Sequence, residues 1–293
     1  EIGSGLVGSE MCIRDSLTKS LNGVFAFAGA EKWVFADHLL NVPMATIATT
    51  PAEAKNIEKE KIDAAKPAFK AYAEALKFMT EHAAGLKGHA SRGPELINAA
   101  NYGYDQTVQM FADGNALFIQ QGNWAYSNIE KINPETAKNV SFIPLKMPFT
   151  DEMIQDGRTA EQINSSIIVT TGNYYAINAK VSEEQQKQAV EFLKWMEKEE
   201  NVQKWIIDSF KFIPYNVTPE MKLENPLSES IQKYLSAGQT FNDTVVGTPK
   251  TWSGEKVGTA LLEQYIGKEE WDDETLDQIA DLCVNSWKEL KSE

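Results

Sequence analysis

Gly114-Asn115-Ala116-Leu117-Phe118-Ile119-Gln120-Gln121-Gly122-Asn123-Trp124-Ala125-Tyr126-Ser127-Asn128-Ile129 carries most of what this 293-residue sequence says about its fold. Asp113-Gly114-Asn115 reads as a turn, because glycine and asparagine adopt backbone angles that other residues avoid. Ala116 to Gln120 is a short apolar run containing Phe and Ile, the pattern of a buried strand. It leads into Gly122-Asn123-Trp124, so a strand followed by a loop places Trp124 at a sheet edge. Immediately upstream, Tyr104 to Ala112 reads as a short helix.

Working outward, Leu21 to Ala28 is a second buried strand ended by Gly29, and Val140 to Pro144 and Ser166 to Ile177 are further strands. The last is long enough to cross between two bodies. Thr50, Pro51 and Glu53 form a capping box with proline at the first helical position, opening a charged helix that Pro67 breaks or kinks. A second helix follows with Phe69, Tyr72, Ala73 and Leu76 on one face. Ser182 and Gln185 make another capping box, and Ala189, Phe192, Leu193 and Met196 recur at helical spacing behind it. Pro214, Pro219 and Pro226 mark an irregular stretch before a helix near 227–236. Two helices close the chain near 254–266 and 273–291, the latter turning Leu276, Ile279, Ala280, Cys283 and Trp287 inward. Strands alternating with helices predict an α/β architecture with a largely parallel sheet, whose ligands settle at loops leaving the strand ends.

Residues 1–16 stand apart. Leu6 to Asp15 matches, over ten consecutive positions, one reading frame of a common transposon-type sequencing adapter. These residues are expected to be non-native, with the true N-terminus and any signal peptide lost. Removing their three acids and one base moves the formal charge from -14 to -12. So acidic a chain argues against nucleic acid or an anionic membrane as partner, since both require a basic surface. Setting aside Cys12 in the leader leaves Cys283, read as a small buried hydrophobe, so no intrachain disulfide is expected. No apolar stretch approaches the roughly 20 residues of a membrane span.

The residue types of catalysis are sparse. His38, His82 and His89 occur in no metal-binding spacing, and there is no nucleophile elbow, phosphate loop or dinucleotide fingerprint. Neither a metal nor a cofactor is expected. Paired carboxylates such as Asp151-Glu152 are read as solvated surface. Three tryptophans, in contrast, sit in loops beside hydrogen-bonding side chains: Glu31-Lys32-Trp33, Gly122-Asn123-Trp124, and Trp252 after Thr248-Pro249-Lys250-Thr251. For any one alone, core packing is an even alternative. Together they fit a sugar site, where an indole face covers the C–H face of a pyranose and polar side chains orient its hydroxyls.

The Gly114–Ile129 stretch resembles the signature of extracellular sugar-binding proteins related to the maltose-binding protein. Phe111-Ala112-Asp113-Gly114, Gly172-Asn173-Tyr174-Tyr175-Ala176-Ile177-Asn178 and Ala189-Val190-Glu191-Phe192-Leu193-Lys194-Trp195 follow in the order that family shows. The resemblance runs from about Leu21 to the end. It implies a two-lobed, periplasmic-binding-protein-like (type II) fold with most of the first lobe missing. Residues 17–171 and 215–293 would build the second lobe, and 172–214 would be a remnant of the first, exposing apolar surface. By position, Glu31 with Trp33, Asn123 with Trp124, and Trp252 would line the ligand cleft, although the spacing from Trp252 to the following glycine departs from the family pattern. Tyr175 and Asn173 fall near the expected crossover, where they would either reach the cleft as ligand contacts or pack within the buried hinge.

The function so implied is non-enzymatic: binding of a mono- or oligosaccharide by hinge closure and delivery to the permease subunits of an ABC importer. The carrier would be a monomer on the extracellular face, lipid-anchored or periplasmic. A carbohydrate-active hydrolase, which needs two facing carboxylates, and a carrier of a non-sugar solute are the alternatives.

Overall fold

Leu276, Ile279, Ala280, Cys283 and Trp287 form the stripe around which the molecule is organised. In a computed structural model, which describes residues 23–85, 93–170 and 174–291, all five are buried on the helix Asp273–Leu290. Asp272 caps that helix by accepting a 2.8 Å hydrogen bond from the Thr275 amide, satisfying one of the amides a helix start leaves unpaired. Its partner is the Lys66–Glu81 helix, which buries Phe69, Tyr72, Ala73 and Leu76 as its sequence predicts. Lys66–Asp281 at 2.6 Å and Lys70–Asp277 at 2.9 Å flank the seam. Both pairs are partly solvated and add little to the apolar contact between them. Burial pushes the Cys283 thiol far above its usual range, which keeps it protonated and unreactive.

The strands are shorter than the sequence predicts. β1 is Phe25–Ala26 and β2 is Phe118–Ile119, paired in parallel. β3 is Ile167–Val169 and β4 is Thr240–Asn242, also parallel. The parallel direction agrees with expectation, but the described residues form two separate strand pairs rather than one sheet. Val140–Pro144 is not a strand. The Ser230 hydroxyl, on the Pro226–Ala237 helix, accepts from the Phe142 amide and donates to the Phe142 carbonyl, both at 3.1 Å. One side chain thereby occupies both backbone groups that a neighbouring strand would have used. Of Ser166 to Ile177 only β3 is regular; Asn173 lies outside the described residues, as does His89.

Pro67 does not break a helix. The segment after Thr50 divides into Pro51–Lys55 and Lys59–Ala64, and Pro67 stands in the first turn of Lys66–Glu81, where its missing N–H costs nothing. Thr50 caps the Glu53 amide as predicted, but the Glu53 carboxylate turns to Thr49 instead of closing the box. Tyr104–Ala112 is helical over the predicted residues, and Gly114 takes φ +76 in the turn that follows.

The Glu183–Met196 helix carries the complete capping box between Ser182 and Gln185. Its apolar face, however, is open. Only Met196 is buried, while Phe192 is 51% exposed and Trp195 is 40% exposed. Tyr174 and Tyr215, which flank this region, are 81% and 82% exposed. Among the described residues no helix is long and apolar enough to cross a membrane.

Candidate ligand-binding site

Residues just beyond β2, β3 and β4 border one cavity, at strand exits of the kind where parallel α/β proteins hold ligands. β1 leads to the turn at Glu31 and the helical turn Val34–His38; β2 leads to Gln120 and Gln121; Thr170 follows β3, and Asp243 follows β4. Between the two strand pairs lies a cavity of about 1420 Å³ whose wall includes His38, Gln120, Gln121, Trp124, Thr170 and Asp243. Phe25, Phe118, Phe142, Ile167 and Ile231 supply much of its apolar depth.

Trp33, His38 and Trp124 assemble into one aromatic cluster, of which His38 and Trp124 stand on the cavity wall and Trp33 does not. The Trp33 and Trp124 ring centres are 6.5 Å apart, and His38 lies 5.0 Å from Trp33 and 5.2 Å from Trp124. Tyr104 joins from the other side, 6.0 Å from Trp33. Val34–His38 is a π-helical turn, so residues five apart share a face and Trp33 meets His38. Trp124 is the middle residue of a short 3-10 turn, Asn123–Ala125, and remains 38% exposed. Its ring folds back over Gly122, where an added Cβ would collide with it. Gly122 has an extended backbone, so the close approach of the ring is what requires glycine there.

Glu31 is built into this cluster differently from the sequence expectation. One carboxylate oxygen accepts from the Trp33 indole at 2.8 Å and the other from the Tyr104 amide at 3.2 Å. It therefore fixes the Trp33 ring and anchors the helix start at Tyr104. Tyr104 in turn accepts a 3.1 Å hydrogen bond from Asn128 at its hydroxyl.

Trp252 does not join the other two tryptophans. It is 0% exposed, donates from its indole to the Cys283 carbonyl at 2.9 Å, and meets Phe69 edge to face at 6.0 Å. Both faces of the ring are spent on the core, because the helical run that starts at Trp252 packs on Asp273–Leu290 and points the indole inward. Its loop context in the sequence concealed this. Asn123 lines the cavity, whereas Tyr174 rather than Tyr175 reaches its wall, and Tyr175 stands in solvent at 63% exposure.

His38, Gln120, Gln121 and Asp243 line the cavity and are not singled out as ligand-binding candidates by the sequence. Burial holds the His38 imidazole below its usual pKa, opposed by the charges of Asp37 and Asp243. Asp37 is occupied by the Ser253 hydroxyl at 2.5 Å. The sequence signal for the glutamines was a polar pair closing an apolar strand, Phe118-Ile119-Gln120-Gln121. Among the described residues no group of three or more His, Cys, Asp or Glu is placed to hold a metal ion. Among the described residues no Lys or Arg stands on the cavity wall.

The sequence profile of a family described as bacterial extracellular solute-binding protein matches residues 17–254. No curated protein matches the chain.

Proposed function

The chain belongs to the bacterial extracellular solute-binding protein family, and from that membership we propose that it binds a neutral mono- or oligosaccharide at the Trp33–His38–Trp124 cluster. The observation that carries this reading is the half-exposed Trp124 ring beside Trp33 at a cavity whose wall, among the described residues, carries no Lys or Arg. Such a ring covers the C–H face of a pyranose, and the absence of Lys and Arg disfavours phosphate or carboxylate ligands. Trp33 and Trp124 supply contact area, Asn123 a polar group at the rim, and Glu31 the hydrogen bond that holds Trp33 in register.

The solute would then pass to the permease of an ABC importer through closure of two lobes about hinge strands, with no bond made or broken. The carrier works on the extracellular face, held there by a lipid anchor or confined to a periplasm. The open apolar face of Glu183–Met196 supports reading residues 172–214 as part of the first lobe, with 17–171 and 215–293 forming the second.

Isothermal titration with glucose, galactose, mannose, xylose, maltose and cellobiose tests the ligand class. Saturable binding of at least one, weakened tenfold or more by Trp124→Ala, is the expected result. Heat from spermidine but from none of the sugars would replace the carbohydrate with a cation held over the same rings.

A further inference from the structure

Three side chains on the cavity wall carry buried polar atoms with no hydrogen-bond partner: Gln120 (Oε1), Gln121 (Oε1 and Nε2) and Asp243 (Oδ1). Orphaned polar atoms are uncommon in folded proteins, because each has given up water and received nothing in return. Finding all three residues on one wall is more unusual still, since they come from places far apart in the chain. Gln120 and Gln121 follow β2, and Asp243 follows β4. Both segments are strand exits that line the cavity near the His38–Trp124 contact, and their orphaned atoms are themselves covered, so a ligand meets them once these side chains turn into the cavity. Asp243 is also close enough to His38 for its charge to act on the imidazole.

We infer that Gln120, Gln121 and Asp243 form a second, buried polar subsite that selects the ligand by hydrogen-bonding its hydroxyl groups while Trp124 covers the opposite face. The inference rests on the carbohydrate reading above and deepens it. Gln120 Oε1, Gln121 Oε1 and Asp243 Oδ1 are acceptors, and Gln121 Nε2 is a donor. A set richer in acceptors than donors suits a partner that offers several O–H donors and accepts in return, which is what a polyol does and what an anion cannot do. A site built to hydrogen-bond a hydroxyl also rejects the analogue lacking it, because the protein groups are then left buried and unpaired.

The test uses Asp243→Leu, Gln121→Leu and Asp243→Asn in the full chain, with the sugar panel followed by intrinsic fluorescence and with thermal melts in the absence of sugar. Relieving an orphaned polar atom raises stability, so each Leu variant is expected to melt roughly 2–4 °C higher while binding the best sugar at least tenfold more weakly. Asp243→Asn, which keeps an acceptor, recovers part of that loss. A monodeoxy derivative lacking the hydroxyl that meets the subsite binds the unsubstituted chain tenfold more weakly than its parent, and binds Asp243→Leu as well as the parent does. Leu variants that bind as tightly as the unsubstituted chain, or that lose binding only together with a fall in melting temperature, overturn the subsite alone. An unsubstituted chain that answers to no sugar overturns the carbohydrate reading and the subsite with it.

Discussion

Trp124 and Trp252 are the same residue type in opposite situations, and substitution separates their roles. Trp124 is 38% exposed, and Trp252 is 0% exposed with its indole bonded to the Cys283 carbonyl. Trp252→Ala opens a large core cavity and is expected to cost about 3–5 kcal/mol of stability. Trp124→Ala leaves the melting temperature nearly unchanged and removes ligand affinity. Parallel chemical denaturation and titration of the two variants check this, and a Trp124→Ala protein as unstable as Trp252→Ala would return Trp124 to the core. In the sequence both sat in loops beside polar residues, so loop context did not separate Trp124, which borders the cavity, from Trp252, which is packed in the core. What distinguished them was tertiary: one helix start turned its indole onto Asp273–Leu290, and one strand exit turned it to solvent.

His38 couples stability to pH. Its folded-state pKa lies below the usual value near 6.5 because burial disfavours the charged imidazolium. As pH falls through about 6.5 the unfolded chain takes up a proton that folded His38 refuses, so this contribution to stability is complete above that pH and lost below it. Melting temperature recorded from pH 7.5 to 5.5 is expected to fall less steeply in His38→Gln than in the unsubstituted chain. Equal slopes would remove His38 from the pH response.

At the level of elements, helices were more legible than strands. Tyr104–Ala112 and Pro226–Ala237 follow from apolar periodicity, caps and prolines, signals that lie within each segment. Strands depend on partners that a local pattern does not contain. Val140–Pro144 has a strand-like composition, yet Ser230 holds both backbone groups of Phe142. Ser230→Ala is therefore expected to cost about 1 kcal/mol and to accelerate hydrogen exchange at the Phe142 amide more than at amides of Asp273–Leu290. Unchanged exchange at Phe142 would mean that other contacts hold this segment. The polar pair Gln120-Gln121 shows the same limit from the other side: its position at a strand end was readable, whereas the cavity it borders was not.

Across the whole molecule, the open apolar face of Glu183–Met196 is the feature least compatible with a self-sufficient body. Exposed apolar patches mark surfaces that something else covers. The chain is expected to bind the dye ANS in its folded state, and Phe192→Ser with Trp195→Ser to abolish most of that signal without lowering the melting temperature. Dye binding unaffected by the double substitution would place the exposed apolar surface elsewhere.

The proposed function is capture of a sugar through Trp33 and Trp124 and its release unaltered. Fluorescence titration with the neutral sugar panel, followed by chromatography of the recovered sugar, tests it most directly. The expected result is a saturable change with at least one sugar, absent in Trp124→Ala, and recovery of that sugar intact. A flat titration across the panel, or recovery of cleaved product, would contradict it.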